Sequence, residues 1–322
     1  MMQKFLSGIV GLVAIFALAG CGNQKLTVGS STKTPSGMVA VIKGKTNKDA
    51  KISYRVKGQT KKSVKNTDGA YVIEIPATTK TQKVTVTSQK GSDVLTKNVT
   101  IKKTKALANY KSIATKYNQA VIGMSLSKST QKKAQELATA EKKAKATSTK
   151  TTSAAKAKAE IAKLPARQQK KALAKLQAQQ KEMLALQKEA KEVQTAMAAS
   201  KKKNKDKLLP TSLNNGVQNV ITQKNYTVRV NHQNKNLMGI TLIVPVKAMK
   251  QKSGQKDFGT VFALLTSEVG AKPKSVMKQF KKVQKDAKNS TSTSTTTHVI
   301  KSNGVKFQVG YSTTHLYIYI TK

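Results

Sequence analysis

The spacing of apolar residues changes period twice along this chain, and that double change limits what it can fold into. From about Met38 to Lys103 the pattern is that of strands: Met38-Val39-Ala40-Val41-Ile42, Ile52-Ser53-Tyr54-Arg55-Val56, Tyr71-Val72-Ile73-Glu74-Ile75, Val84-Thr85-Val86-Thr87, and Val94 through Ile101. A strand sends successive side chains to opposite faces, so alternation marks a half-buried strand. Gly44, Asn47-Lys48-Asp49, Asp68-Gly69, Pro76 and Lys90-Gly91 supply the turns between them. Short strands at this spacing predict a small all-β sandwich over 37–104.

From about Lys105 to Ser200 the period becomes helical. Tyr110, Ala114, Tyr117, Val121 and Met124 alternate steps of four and three. Ala172, Leu176, Gln179, Met183, Leu186, Ala190, Val193 and Met197 hold the same heptad rhythm, and Pro165 stands where a helix would start. Poor helix formers at 146–153 divide the two runs. The segment 105–203 is therefore read as an α-helical hairpin or coiled-coil-like stalk, with a parallel self-associated coil as the alternative. The Met, Ala and Gln of the stripe are read as helix–helix contact, and Lys170, Lys171, Lys181, Lys188 and Lys191 as a solvated face.

Lys201-Lys202-Lys203-Asn204-Lys205 and Pro210 mark a second boundary. Beyond it, 204–322 reads as an α+β domain with an antiparallel sheet. A short helix is expected over 212–222, strands at 226–230 and 238–244, and helices at 258–268 and 274–287. Three strands close the chain at 296–301, 305–309 and 316–320. Asn303-Gly304 is a two-residue hairpin signal. The fold class expected is thus multidomain: a β-sandwich, a helical segment and an α+β domain.

The chain opens Met1-Met2-Gln3-Lys4, followed by an apolar stretch from Phe5 to Ala19. That stretch is shorter than the about 20 residues needed to span a bilayer, and it has the length of a signal-peptide core. It ends in Leu18, Ala19, Gly20 and Cys21, and Cys21 is the only cysteine in the chain. This resembles the lipobox of bacterial lipoproteins. The resemblance implies a signal peptide over 1–20, covalent diacylglycerol on Cys21 as the sole prosthetic group, and a lipid-anchored location on the outer face of the cell membrane. Residues 21–36, polar and rich in Ser, Thr, Lys and Gly, are read as a lipidated flexible tether. Gly22 does not match the Gram-negative retention signal, which with the basic composition favours a Gram-positive envelope.

Three stretches carry a second resemblance: Gly44 through Ile52, Thr67 through Pro76, and Gln82 through Thr87. Together they are similar to the bacterial Ig-like domains of surface proteins, in which Gly-x-Thr, Asp-x-Gly-x-aromatic and a closing Val-Thr-Val-Thr strand recur. The likeness implies an Ig-like sandwich and says almost nothing of activity.

Lys and Arg number 60 against 14 acids, a net charge of +46. Such a balance points to polyanions. The export signal and the near absence of arginine (Arg55, Arg167 and Arg229 alone) argue against nucleic acid and for anionic envelope polymers such as teichoic acid, or host polyanions. Adaptation to an acidic habitat is the other reading of the charge. Aromatic residues make up only 4% of the chain, so stacking platforms for sugars or bases are few.

Parts for catalysis are missing from the pattern. His232, His298 and His315 fall in or beside expected strands without the pairing of a metal site, so no metal is expected. Asp68 reads as a turn residue and Asp257 as a helix cap before Phe258. No second cysteine and no phosphate-binding loop is present. The expectation is a non-enzymatic envelope lipoprotein that presents an interaction or adhesion domain to an unknown protein partner. The alternative is an extracytoplasmic chaperone or assembly factor that uses the helical region.

Overall fold

The structure, a computed structural model, describes residues 24–147, 159, 161–289 and 299–322. It is mixed α/β with several sheets, and it divides into two compact units. One holds the described residues up to Ile75 together with Lys80–Lys103; the other holds Pro76–Thr79 with Thr104–Lys322.

The first unit contains β1 (Thr32–Lys33), β2 (Val39–Lys45), β3 (Lys51–Val56), β4 (Lys62–Val64), β5 (Ala70–Pro76), β6 (Gln82–Lys90) and β7 (Asp93–Ile101). They form a five-stranded sheet in the order β1-β7-β6-β3-β4 and a two-stranded sheet of β2 and β5. Alternation decides what is buried. Ile42, Ile73, Ile75, Val84, Val86, Val99 and Ile101 from both sheets meet in one core, while their neighbours face out. At about 25 cal/mol per Å² of apolar surface, burial of such aliphatic side chains is the main term holding so small a unit together.

Two devices fix the turns. The Asn66 side chain donates to the carbonyls of Asn47, Lys48 and Ala50 and accepts from the Gly69 amide. Asp68 and Gly69 both have positive φ, at 48° and 84°, as a tight turn demands. Residues 24–36 are not the free tether expected from composition. Leu26 and Val28 are each 7% exposed and belong to the core, and Thr32 and Lys33 pair in parallel with β7. An apolar pair two residues apart is enough to lay a polar segment against a sheet edge.

The second unit contains β8 (Ala108–Asn109), α1 (Tyr110–Met124), α2 (Lys128–Thr147) and α3 (Ala166–Lys203), then a 3-10 turn at Lys205–Lys207. There follow β9 (Gly216–Thr222), β10 (Thr227–Gln233), β11 (Asn236–Pro245), α4 (Val246–Met249), α5 (Lys252–Glu268) and α6 (Pro273–Asn289). β12 (Val299–Ser302), β13 (Val305–Tyr311) and β14 (His315–Thr321) complete it. The sheet runs β12-β13-β14-β11-β10-β9, antiparallel at each pairing, with β8 added to β11. Asn303 and Gly304 take φ of 51° and 73° between β12 and β13, the left-handed pair of a two-residue hairpin.

The sheet's inner face meets α1, α5 and α6 over one core. Phe258, Phe262, Phe280 and Phe307 cluster there at ring separations of 5.7 to 6.5 Å. These are all the phenylalanines of the chain apart from Phe5 and Phe16.

Three further expectations are corrected. The segment expected as a helix at 212–222 is strand β9 from Gly216 onward. Val217, Val220 and Ile221 carry helical spacing because the ladder with β10 has a bulge, with Ile221 opposite Val228 but Asn219 opposite Arg229. A bulge inserts one residue and breaks the two-residue rhythm. Asp257 does not cap a helix: α5 starts at Lys252 after Gln251, so Asp257 lies inside it. The first heptad run is not part of a separate helical domain. Tyr110, Ile113, Ala114 and Tyr117 of α1 are buried in the same core as the C-terminal strands.

It is α2 that lies beside α3, in the opposite sense. The Ser125 and Ser200 hydroxyls bond each other, and Lys133 Nζ reaches Glu192 Oε2 at 2.7 Å.

Candidate functional site

The lipobox residues Leu18, Ala19, Gly20 and Cys21 lie outside the described residues, as does His298. Within the second unit, the side chains that converge best line a cleft of about 360 Å³ between α1, α5 and the 3-10 turn after α3. Both helices present one face to it. On α1 the lining residues Tyr117, Val121 and Met124 recur at steps of four and three. On α5 Ser253, Lys256, Asp257, Thr260, Val261 and Leu264 follow the same three- and four-residue spacing. Repetition at that spacing stacks side chains on one side of a helix, so each helix presents a single stripe, and the fold brings the two together.

The floor of the cleft is apolar, and its rim is polar. Val261 is 2% exposed and Tyr117 1%, while Met124 at the mouth is 59% exposed. A clasp of small polar groups closes one end. Ser200 Oγ donates to the Ile122 carbonyl at 2.9 Å, and Asn204 Nδ2 donates to Ser125 Oγ and to the Ser200 carbonyl, both at 2.9 Å. These side-chain bonds add to the backbone N–H groups of Ser125 and Asn204, which already cap the Ile122 and Ser200 carbonyls at the ends of α1 and α3.

At the opposite side Asn225 Nδ2 donates to Asp257 Oδ2 at 2.8 Å, fixing the carboxylate. The Tyr117 and Tyr226 hydroxyls are bonded to each other. Burial first, and then the charge of Asp257, push the Tyr226 hydroxyl up to about 12, with the bond to Tyr117 working the other way. Tyr117 is also raised, by burial first and then by Tyr226. Both phenols are therefore neutral at physiological pH and act as hydrogen-bonding groups rather than nucleophiles. Lys207 and Lys256 complete the rim. The cleft thus combines an apolar floor, one carboxylate, two lysines and paired phenols, which are the parts of a recognition site.

The two described histidines are not brought together there. His232 on β10 sits edge-on to Tyr110 at 5.2 Å with Nδ1 3.2 Å from the Asn214 carbonyl. His315 lies beside Tyr317 at 6.1 Å. Among the described residues no three His, Cys, Asp or Glu side chains gather to hold a metal. The tyrosine pair was visible in the sequence only as heptad members and a strand start. A phenol within an otherwise aliphatic stripe is the signal that marks it, because a buried Tyr hydroxyl needs a partner.

No family model matches the chain, and no curated protein matches it. Among solved structures, the apo form of β-glucuronidase 3 from Bacteroides uniformis is 14% identical with a TM-score of 0.22; the match covers 28% of this chain and 13% of that one. A likeness that slight carries no argument.

Proposed function

We propose that this chain is a non-enzymatic cell-envelope lipoprotein, held on the outer face of a Gram-positive membrane by diacylglycerol on Cys21. In this reading an Ig-like unit and a larger α+β unit stand outside the membrane. The observation that carries it is the run Leu18-Ala19-Gly20-Cys21 directly after an apolar leader, with Cys21 the single cysteine of the chain. Two acyl chains give stable anchoring where one does not, at about 0.8 kcal/mol per buried CH₂. The net charge of +46 supports a role against anionic wall polymers, and the cleft between α1 and α5 supplies a seat for a partner.

The test is metabolic labelling with an alkyne-bearing palmitate. The wild type is expected to take up label and fractionate with membranes, and Cys21→Ser to lose label and enter the soluble fraction. Label that survives Cys21→Ser, or never enters the wild type, overturns the reading.

A second reading, an extracytoplasmic chaperone, is favoured by α3. Leu173 and Leu184 are 41% and 65% exposed and lie three turns apart on one side, with Met183 and Met197 exposed on another. Adaptable Met and Leu surfaces suit unfolded chains. That reading requires the full chain to suppress aggregation of a denatured test protein, and Leu173→Ser with Leu184→Ser to abolish the effect.

A further inference from the structure

The first unit carries a concentration of cations that its own packing does not use. Arg55 and the adjoining Lys57 follow the outer face of β3, Lys83 and Thr85 that of β6, and Asn98 and Thr100 that of β7. The register places them in two rows. Arg55 is opposite Thr85, which is opposite Asn98; Lys83 is opposite Thr100, and the Lys57 amide donates to the Lys83 carbonyl. Side chains at alternate positions share a face, so all six project from the same side of the sheet, away from Val56, Val84 and Val99 in the core. Together they line a shallow trough of about 520 Å³.

Among the described residues lining this trough none is acidic, and none of the three ion pairs among the described residues involves its cations. Like charges on neighbouring strands destabilise a sheet. The cluster therefore stores a repulsion that an anion would relieve. Arg55 is one of only three arginines in the chain, and its planar fork matches a phosphate bidentately where lysine offers a point charge. Thr85 Oγ1 donates to Asn98 Oδ1 at 2.9 Å, which occupies the amide oxygen and leaves the Asn98 NH₂ as a donor. Cations in two rows, interleaved with hydroxyls and an amide, can hold phosphates and the polyol between them.

We infer that this face of the first unit is a seat for a phosphodiester-linked polyol chain. The inference rests on the polyanion part of the proposed function and gives it an address, replacing attraction spread over the whole surface. Arg55 and Lys57 are separated by about 7 Å along their strand, two residues at a rise of about 3.4 Å, so one extended polymer can engage both with successive phosphates. The trough has no exposed aromatic side chain on which a base could stack, and no protruding apolar residue to enter a membrane.

The experiment uses the full chain as its soluble Cys21→Ser form and a defined oligo(glycerol phosphate) as probe, with affinity measured across a salt series. The triple variant Arg55→Gln, Lys57→Gln, Lys83→Gln is compared with Lys274→Gln, Lys278→Gln, Lys281→Gln on α6, which removes the same charge. The seat variant is expected to lose at least about tenfold in affinity, and its slope of log affinity against log salt to fall by about two, near 0.7 per contact for a single-stranded polyanion. The α6 variant should lose less than about threefold. Thr85→Val, which keeps every charge, should weaken binding of the polymer severalfold but leave inorganic phosphate unaffected. Equal loss in the two triples, no binding by the parent protein, or preferential seat-dependent binding of phosphatidylglycerol vesicles or duplex DNA overturns the seat. Lipid labelling of Cys21 is read separately, so failure of the seat and failure of the anchor are told apart.

Discussion

At the scale of single residues, Tyr226 makes the clearest pH prediction. Its folded pKa is near 12 against an unfolded value of about 10, so the folded state holds its proton more tightly. Stability is undiminished below pH about 10 and is lost as pH rises from there towards 12, because only the unfolded chain then gives up the proton. Burial penalises the phenolate rather than stabilising the phenol, so the effect is a loss of stability across that window and not a gain below it. Wild type and variant share every other titrating group, so the readout is a difference between them. The fall in melting temperature between pH 9 and pH 11.5 is expected to be smaller for Tyr226→Phe than for the wild type. Equal falls would mean that the phenol is not held neutral by its surroundings. Gly44 shows another residue-scale constraint: a Cβ there would collide with the Thr27 carbonyl and the Tyr71 hydroxyl, which are bonded to each other.

At the scale of elements, α3 is a helix of 38 residues of which Val193 and Ser200 are buried, both in its C-terminal part. Its packing is therefore one-ended. Val193→Ala is expected to lower stability by about 1–2.5 kcal/mol by loss of buried methyls, whereas Leu184→Ala, at a site 65% exposed, should fall within about 0.5 kcal/mol. Denaturant melts of the two variants check this, and equal costs would show that α3 packs along its whole length. How much could be read beforehand follows from the same physics. The strands at 70–76 and 82–90 were legible because alternation and burial agree along them. The Asn303-Gly304 hairpin was legible because its backbone angles demand those residues. β9 was not, because a bulge counterfeits helical spacing, and α1 was placed in the wrong company because a heptad records a buried face without naming what buries it. The cleft was illegible for a related reason: its stripes come from segments more than a hundred residues apart, and only Tyr117 and Tyr226 hinted at a polar contact.

At the scale of the whole molecule, charge dominates. With 60 basic residues and 14 acidic ones, and three exposed ion pairs among the described residues, most lysines repel one another without compensation. Repulsion of this kind is screened over about 10 Å at 0.1 M salt and about 30 Å at 0.01 M. The melting temperature of the soluble Cys21→Ser chain is accordingly expected to rise by several degrees between 0.01 M and 0.5 M sodium chloride, followed by circular dichroism. A melting temperature that stays level would show that the lysines are spaced widely enough to ignore one another, and would remove the electrostatic reason for a polyanionic partner.

The serine–asparagine clasp has a mechanical consequence. Ser125 and Asn204 line the cleft and also tie the foot of α3, a rod of about 57 Å at 1.5 Å per residue. A sideways tug on the far end of that rod is multiplied at its fulcrum, and the fulcrum is the rim of the cleft. Whatever grips the rod would thereby turn torque into a change of grip on the cleft's occupant, with three short hydrogen-bonded side chains as the bearing.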